Sequence, residues 1–264
     1  MNPADILGRR LLEAGYPPVG LLPIGPARAH PSRGRYPAHG YIRGWGLEHG
    51  GMVEKVTAHP LFREALANSR GRSVVTPERL MNLFMIVTHF FDTIEHHNIF
   101  EFGSFRGGSA LFMATLLKRL YPGAAVYAHD TFAGMPEVDK RVDFHTAGDF
   151  SNVDLEGLQT AKRELELDNL HLVQGLVQDT FPASLPPGAK IGLAHFDMDI
   201  YEPTAYAQQM AWPHMTDGGY YVYDDATVSG CIGATQAVED LILERRLHSE
   251  QVHPHFVFRV GVAD

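Results

Sequence analysis

The stretch Asn98-Ile99-Phe100-Glu101-Phe102-Gly103-Ser104-Phe105-Arg106-Gly107-Gly108-Ser109 decides the fold. Its first five residues form a short, mostly apolar run that reads as a buried strand. The glycines after it allow turns that other residues resist, and they let a ligand approach the main chain. From Gly108 to about residue 120 the pattern becomes helical, so a strand runs through a glycine turn into a helix amino terminus, which favours an anionic group. The glycines are spaced Gly-x-x-x-Gly-Gly, with an acid two positions ahead of the first. This is not the Gly-x-Gly-x-x-Gly of dinucleotide sites.

Upstream, Thr76 and Pro77 suit the start of a helix. Leu80, Leu83, Phe84, Val87, Phe90, Phe91 and Ile94 then recur at helical spacing. Downstream, apolar runs at 125–129, 170–174, 191–196 and 219–223 read as strands, and helices are expected near 154–165, 202–214 and 234–247. The tail, 252–262, alternates and reads as one or two closing strands. Strands alternating with helices imply an α/β fold, a doubly wound, mostly parallel sheet covered on both faces. Residues 1–75 are richer in Pro, Gly and Arg and lack strong periodicity. They are expected to form a lid or dimerisation extension on the domain at 76–264.

The 264 residues carry 31 acidic against 22 basic side chains, a net charge of −9. An acidic chain repels phosphate backbones, which argues against a nucleic-acid partner. No segment has the roughly 18–20 apolar residues needed to span a bilayer. The single cysteine, Cys231, excludes an intrachain disulfide and a cysteine zinc cluster. A cytoplasmic protein without a membrane partner is expected.

In open α/β sheets ligands bind at the carboxyl ends of the strands, and the polar residues of this chain fall there. Asp130 ends the second strand, where a carboxylate either takes ribose hydroxyls or caps the turn that follows. Gln178 and Asp179 follow the third strand, where they either meet an adenine edge or cap a helix. Asp197-Met198-Asp199 ends the fourth strand and Asp224-Asp225 the fifth. The interval between 197 and 224 fits one strand–helix–strand unit, so adjacent strands would bring these acids together. Clustered carboxylates repel, and a hard cation such as Mg²⁺ relieves that repulsion. The fifteen histidines show no metal-ligand spacing. His129 and His195 lie beside strand-end acids, where they can support them.

Four segments, 101–109, 129–136, 197–204 and 218–225, resemble the macrocin O-methyltransferase family in order and spacing. The resemblance runs from about 76 to 247. It implies a Rossmann-like methyltransferase sheet of seven strands and a homo-oligomer that uses S-adenosylmethionine and a divalent metal to methylate a sugar hydroxyl on a small glycosylated natural product. The alternative acceptor is a catechol or other phenol. By the resemblance, Glu101 and Gly103 line the methionine end of the cofactor, with Phe102, Ser104, Arg106, Gly107 and Ser109 in the same binding segment. Asp130, with Thr131 and Phe132, holds the ribose, and Gln178 and Asp179 lie near the adenine. Asp197, Asp224 and Asp225 match the magnesium ligands. Asp197 also belongs to the cofactor and catalytic sets, and Asp199 matches the general base. Met198 and Pro203 depart from the family pattern, which has Gly and Ser there.

Overall fold

The structure is a computed structural model, and it describes residues 52–226, 228–252 and 254–261. The chain divides into two compact units, Met1–Lys55 and Val56–Asp264. Most of the expected lid or dimer arm, residues 1–51, lies outside the described residues. Helix α1 spans Met52–Ala58 and α2 spans Pro60–Ser69.

The second unit is built on a six-stranded sheet: β1 (Asn98–Phe102), β2 (Val126–Asp130), β3 (Leu170–Gln174), β4 (Ile191–Phe196), β5 (Met215–Tyr223) and β6 (Phe256–Val260). Their order is β3-β2-β1-β4-β5-β6. The first five pair in parallel, and β6 runs antiparallel to β5. Every residue of β4 is buried, as a parallel strand covered on both faces should be.

Helix α3 (Pro77–His89), α4 (Gly108–Leu120), α5 (Leu155–Glu164), the short α6 (Val177–Thr180), α7 (Tyr201–Ala211) and α8 (Ile232–Arg245) complete the unit. Both α2 and α3 pack against α4, and α7 packs against α8. Phe62 of α2 is buried and meets Phe84 of α3 and Phe112 of α4 edge-on, with ring centroids 5.4 and 5.7 Å away. The second core layer, under α7 and α8, is aromatic: Phe102 stacks on Phe196, and Phe196 stacks on Tyr223.

Six strands are present among the described residues, where seven were expected. After α8 the chain turns at Arg246, in a left-handed conformation, and returns to β6 within residues 246–255. That stretch leaves room for only a single bridge, Gln251 to Val257, on the outer side of β6. Among the described residues no helix is long and apolar enough to cross a membrane.

Strand order reverses between β1 and β4, where a doubly wound sheet opens a crevice. The register aligns Phe102 with Phe196 and Phe196 with Tyr223. The residues that follow these three strands therefore leave the sheet side by side.

Candidate active site

A cavity of about 280 Å³ opens at these carboxyl ends. Among the residues singled out from the sequence, Gly103, Asp130, Thr131, Gln178, Asp197, Asp199, Asp224 and Asp225 line it. Glu101, Phe102, Ser104, Arg106, Gly107, Ser109, Phe132 and Asp179 do not. Phe102 belongs to the aromatic core. Ser109 and Phe132 are buried, Arg106 bonds the carbonyl of Asn152, and Asp179 is exposed.

The β1 turn is held from below. Glu101 is fully buried; Ser104 Oγ donates to its Oε2 at 2.6 Å, and His195 Nδ1 lies 3.2 Å from its Oε1. From β2, Asp130 accepts the backbone N–H groups of Ser104, Phe105 and Phe132 at 2.9, 2.7 and 2.6 Å. Burial raises its pKa against these bonds. With four acceptor positions on a carboxylate and three used, Asp130 orders the turn and still has capacity for one ligand hydroxyl. Gly103 has φ +89°, and a Cβ there would lie 1.8 Å from the carbonyl oxygen of Asp197. Only glycine lets the β1 and β4 turns close up.

To the same cavity as Asp130, the short α6 contributes Gln178. Its Oε1 is buried without a hydrogen-bond partner, a group that costs stability unless a ligand satisfies it.

At the β4 and β5 ends, carboxylate oxygens of Asp197, Asp224 and Asp225 lie within 4.8 Å of one another. Burial, and then the neighbouring acids, push Asp197 and Asp225 well above the usual carboxylate range. Asp224 differs. Burial alone would raise it, but the hydrogen bond and charge of His255 and the charge of Arg79 bring it below the ordinary value. His255 Nε2 lies 2.9 Å from Asp224 Oδ1, while Arg79 pairs with Oδ2. Asn82 Nδ2 lies 3.0 Å from His255 Nδ1, and Gln251 donates to Asn82 Oδ1 at 3.1 Å. With Asn82 Oδ1 so occupied, its amide donates to Nδ1, and the His255 proton sits on Nε2 facing Asp224.

Asp199 adopts a left-handed backbone, φ 62°. Its N–H donates to Asp225 Oδ2 at 2.9 Å, and Cys231 Sγ donates to its Oδ1 at 3.1 Å. Burial, the largest effect, raises its pKa.

Sequence reasoning missed Arg79 and His255. Arg79 sits in the first turn of α3, where the helix dipole disfavours a cation; an Arg in that position was the available signal. His255 had none, because its partner is brought to it only by the antiparallel pairing of β6.

The fold and the site together define a doubly wound α/β protein with an acidic, ligand-sized crevice at its switch point. The chain belongs to the macrocin O-methyltransferase (TylF) family, whose model matches residues 65–251. It is similar to the 8-demethyl-8-(2,3-dimethoxy-alpha-L-rhamnosyl)-tetracenomycin-C 4'-O-methyltransferase of Streptomyces olivaceus, 29% identical over 62% of this chain and 66% of that one. It is also similar to the mycinamicin III 3''-O-methyltransferase of Micromonospora griseorubida, 26% identical over 54% and 60%. The matched segment thus spans less than two thirds of either relative. The solved O-methyltransferase NovP shares the fold, with a TM-score of 0.63 and 21% identity over 80% of this chain and 94% of that one.

Proposed function

We propose that the protein transfers a methyl group from S-adenosylmethionine to a sugar hydroxyl of a small glycosylated natural product, in the cytoplasm and as a homo-oligomer. A divalent cation, magnesium by preference, would be held by Asp197, Asp224 and Asp225. The observation that carries this reading is the meeting of those three carboxylates in the same cavity as Asp130 and Gln178.

The donor set fits a hard cation. It consists of carboxylate oxygens only, and two of the three groups are pushed up by burial and then by the charges of the neighbouring acids, which a cation would offset. Such a cation, when bound, lowers the pKa of a hydroxyl beside it. The rest of the chemistry falls to the chain. Asp130 offers its remaining acceptor capacity to a ribose hydroxyl, and Gln178 Oε1 accepts from the adenine amino group. The Glu101–Ser104 bond fixes the turn around the methionine end. Asp199 Oδ1, beside the cluster and lining the cavity, takes the proton of the acceptor hydroxyl. Holding that oxygen in line with the donated methyl supplies most of the rate enhancement.

Calorimetry with S-adenosylhomocysteine, with and without Mg²⁺, tests the reading together with turnover on rhamnosylated and phenolic acceptors. Asp225→Asn should abolish Mg²⁺ binding and cut turnover at least about a thousandfold, while S-adenosylhomocysteine still binds. Absence of S-adenosylhomocysteine binding overturns the methyltransferase reading. Turnover of phenols but not sugars moves the acceptor to the catechol class.

A further inference from the structure

Beside the three-carboxylate cluster lies a different set of donors, two of them, Asp199 and Cys231, on the cavity wall. His145 Nε2 lies 3.8 Å from Asp199 Oδ1 and 3.8 Å from Cys231 Sγ, and Cys231 Sγ lies 3.1 Å from Asp199 Oδ1. The three come from separate parts of the chain: the loop between β2 and α5, the β4 end, and the residue before α8. A zinc-class ion binds at roughly 2.3 Å from sulfur and 2.0–2.2 Å from nitrogen or oxygen. Tetrahedral angles then put neighbouring ligand atoms roughly 3.3–3.6 Å apart. The observed spacings depart from that by less than about 0.6 Å, within reach of side-chain rotation.

A second observation points the same way. The other ring nitrogen of His145, Nδ1, faces Asp149 Oδ2 at 3.4 Å. A carboxylate on the far nitrogen of a histidine is the arrangement that fixes the tautomer and orientation of a metal-ligating imidazole. Cys231 and Asp199 line the cavity, so a fourth coordination position would open into it.

We propose that His145, Asp199 and Cys231 form a second metal site, for a soft divalent cation of the zinc class, distinct from the hard-cation cluster beside it. Sulfur and imidazole select zinc or cobalt over magnesium. On binding, the thiol proton that now bonds Asp199 leaves to solvent and the thiolate coordinates the ion. Resting on the methyltransferase reading, the consequence is inhibition: a soft ion here occupies the carboxylate that accepts the acceptor's proton, while magnesium keeps its own ligands.

Cobalt is the probe, because thiolate–Co²⁺ charge transfer absorbs in the near ultraviolet and the chain has a single cysteine. The full-length protein, saturated with Mg²⁺, is titrated with CoCl₂. The expected result is one equivalent of Co²⁺ with a charge-transfer band. That band is retained in Asp224→Asn and absent in Cys231→Ser. In His145→Gln and Asp149→Asn it appears only at about tenfold or more higher Co²⁺. No band in the wild type overturns the proposal, as does a band of unchanged affinity in His145→Gln, or one lost in Asp224→Asn. The readout needs no turnover, so failure of the methyltransferase reading and failure of this site are told apart.

Discussion

At Gly103 a single methyl group is enough to move the site. The substitution Gly103→Ala places a carbon against the carbonyl of Asp197 and demands positive φ from a residue that resists it. A loss of about 2–4 kcal/mol of stability, read from urea unfolding, is expected, together with loss of S-adenosylhomocysteine binding. His129 illustrates a quieter dependence. Burial lowers its pKa to about 4. It is therefore neutral in the fold, while the unfolded chain takes up a proton from about pH 6.5 downward. Its contribution is present above pH 6.5 and is lost as pH falls toward 4, by about 3 kcal/mol in all. Melting curves between pH 6.5 and 4 should be flatter in His129→Phe than in the wild type. At this scale the meeting of Asp197, Asp224 and Asp225 was legible, because the interval between them fits one strand–helix–strand unit and β4 and β5 pair side by side in parallel. Of the pair after β3, Gln178 lines the cavity while Asp179 is exposed outside that lining. In a helix as short as α6 one side chain faces the cavity and the next faces solvent, and the sequence does not say which.

The strands were the most readable elements. Those at 98–102, 170–174 and 191–196 have the boundaries that their apolar runs suggest, most plainly in β4, where every residue is buried. The fifth begins at Met215, ahead of the expected 219: Met215 pairs with Ile191, and the register then shifts before Tyr220 pairs with Leu193, so Thr216 and Asp217 sit in an irregular stretch that reads as loop in the sequence. Helix α6 was anticipated only as the alternative in which Asp179 caps a helix, and it instead spans Val177–Thr180 with Asp179 inside it; four residues are too few for any periodicity. The shortfall from seven strands to six has the same origin, since the residues before β6 alternate well enough for two strands but reach only one bridge. Helix α2 lies in the stretch where no strong periodicity was read, yet its buried residues Phe62, Ala65 and Ser69 fall on one face, which delivers Phe62 to the core. Phe62→Ala should cost about 3–5 kcal/mol in denaturant unfolding, as much as a substitution in the central strands.

Across the molecule, the acids raised by burial make stability depend on pH, and a divalent ion bound among them would offset that dependence. Asp197 and Asp225 have folded pKa values raised well above the ordinary range, chiefly by burial. Their contribution is fully present below about pH 4 and is lost as pH rises through the folded values. Asp224, with its pKa lowered, works in the opposite sense at lower pH. Metal-free protein should melt progressively lower as pH rises through the raised values, and saturating Mg²⁺ should remove that slope. If melting temperature is identical with and without Mg²⁺ at every pH, the carboxylate cluster binds no cation.

The packing of Phe62 and the antiparallel β6 also bear on how the protein can be cut. The family-matched residues, 65–251, leave out both Phe62 and all of β6. A fragment trimmed to that match would leave Phe84 and Phe112 facing water. It would also strip β5 of its outer neighbour and remove His255, which holds Asp224. Recognisable ancestry and the smallest self-supporting piece of this chain are therefore different stretches, and the second is the longer.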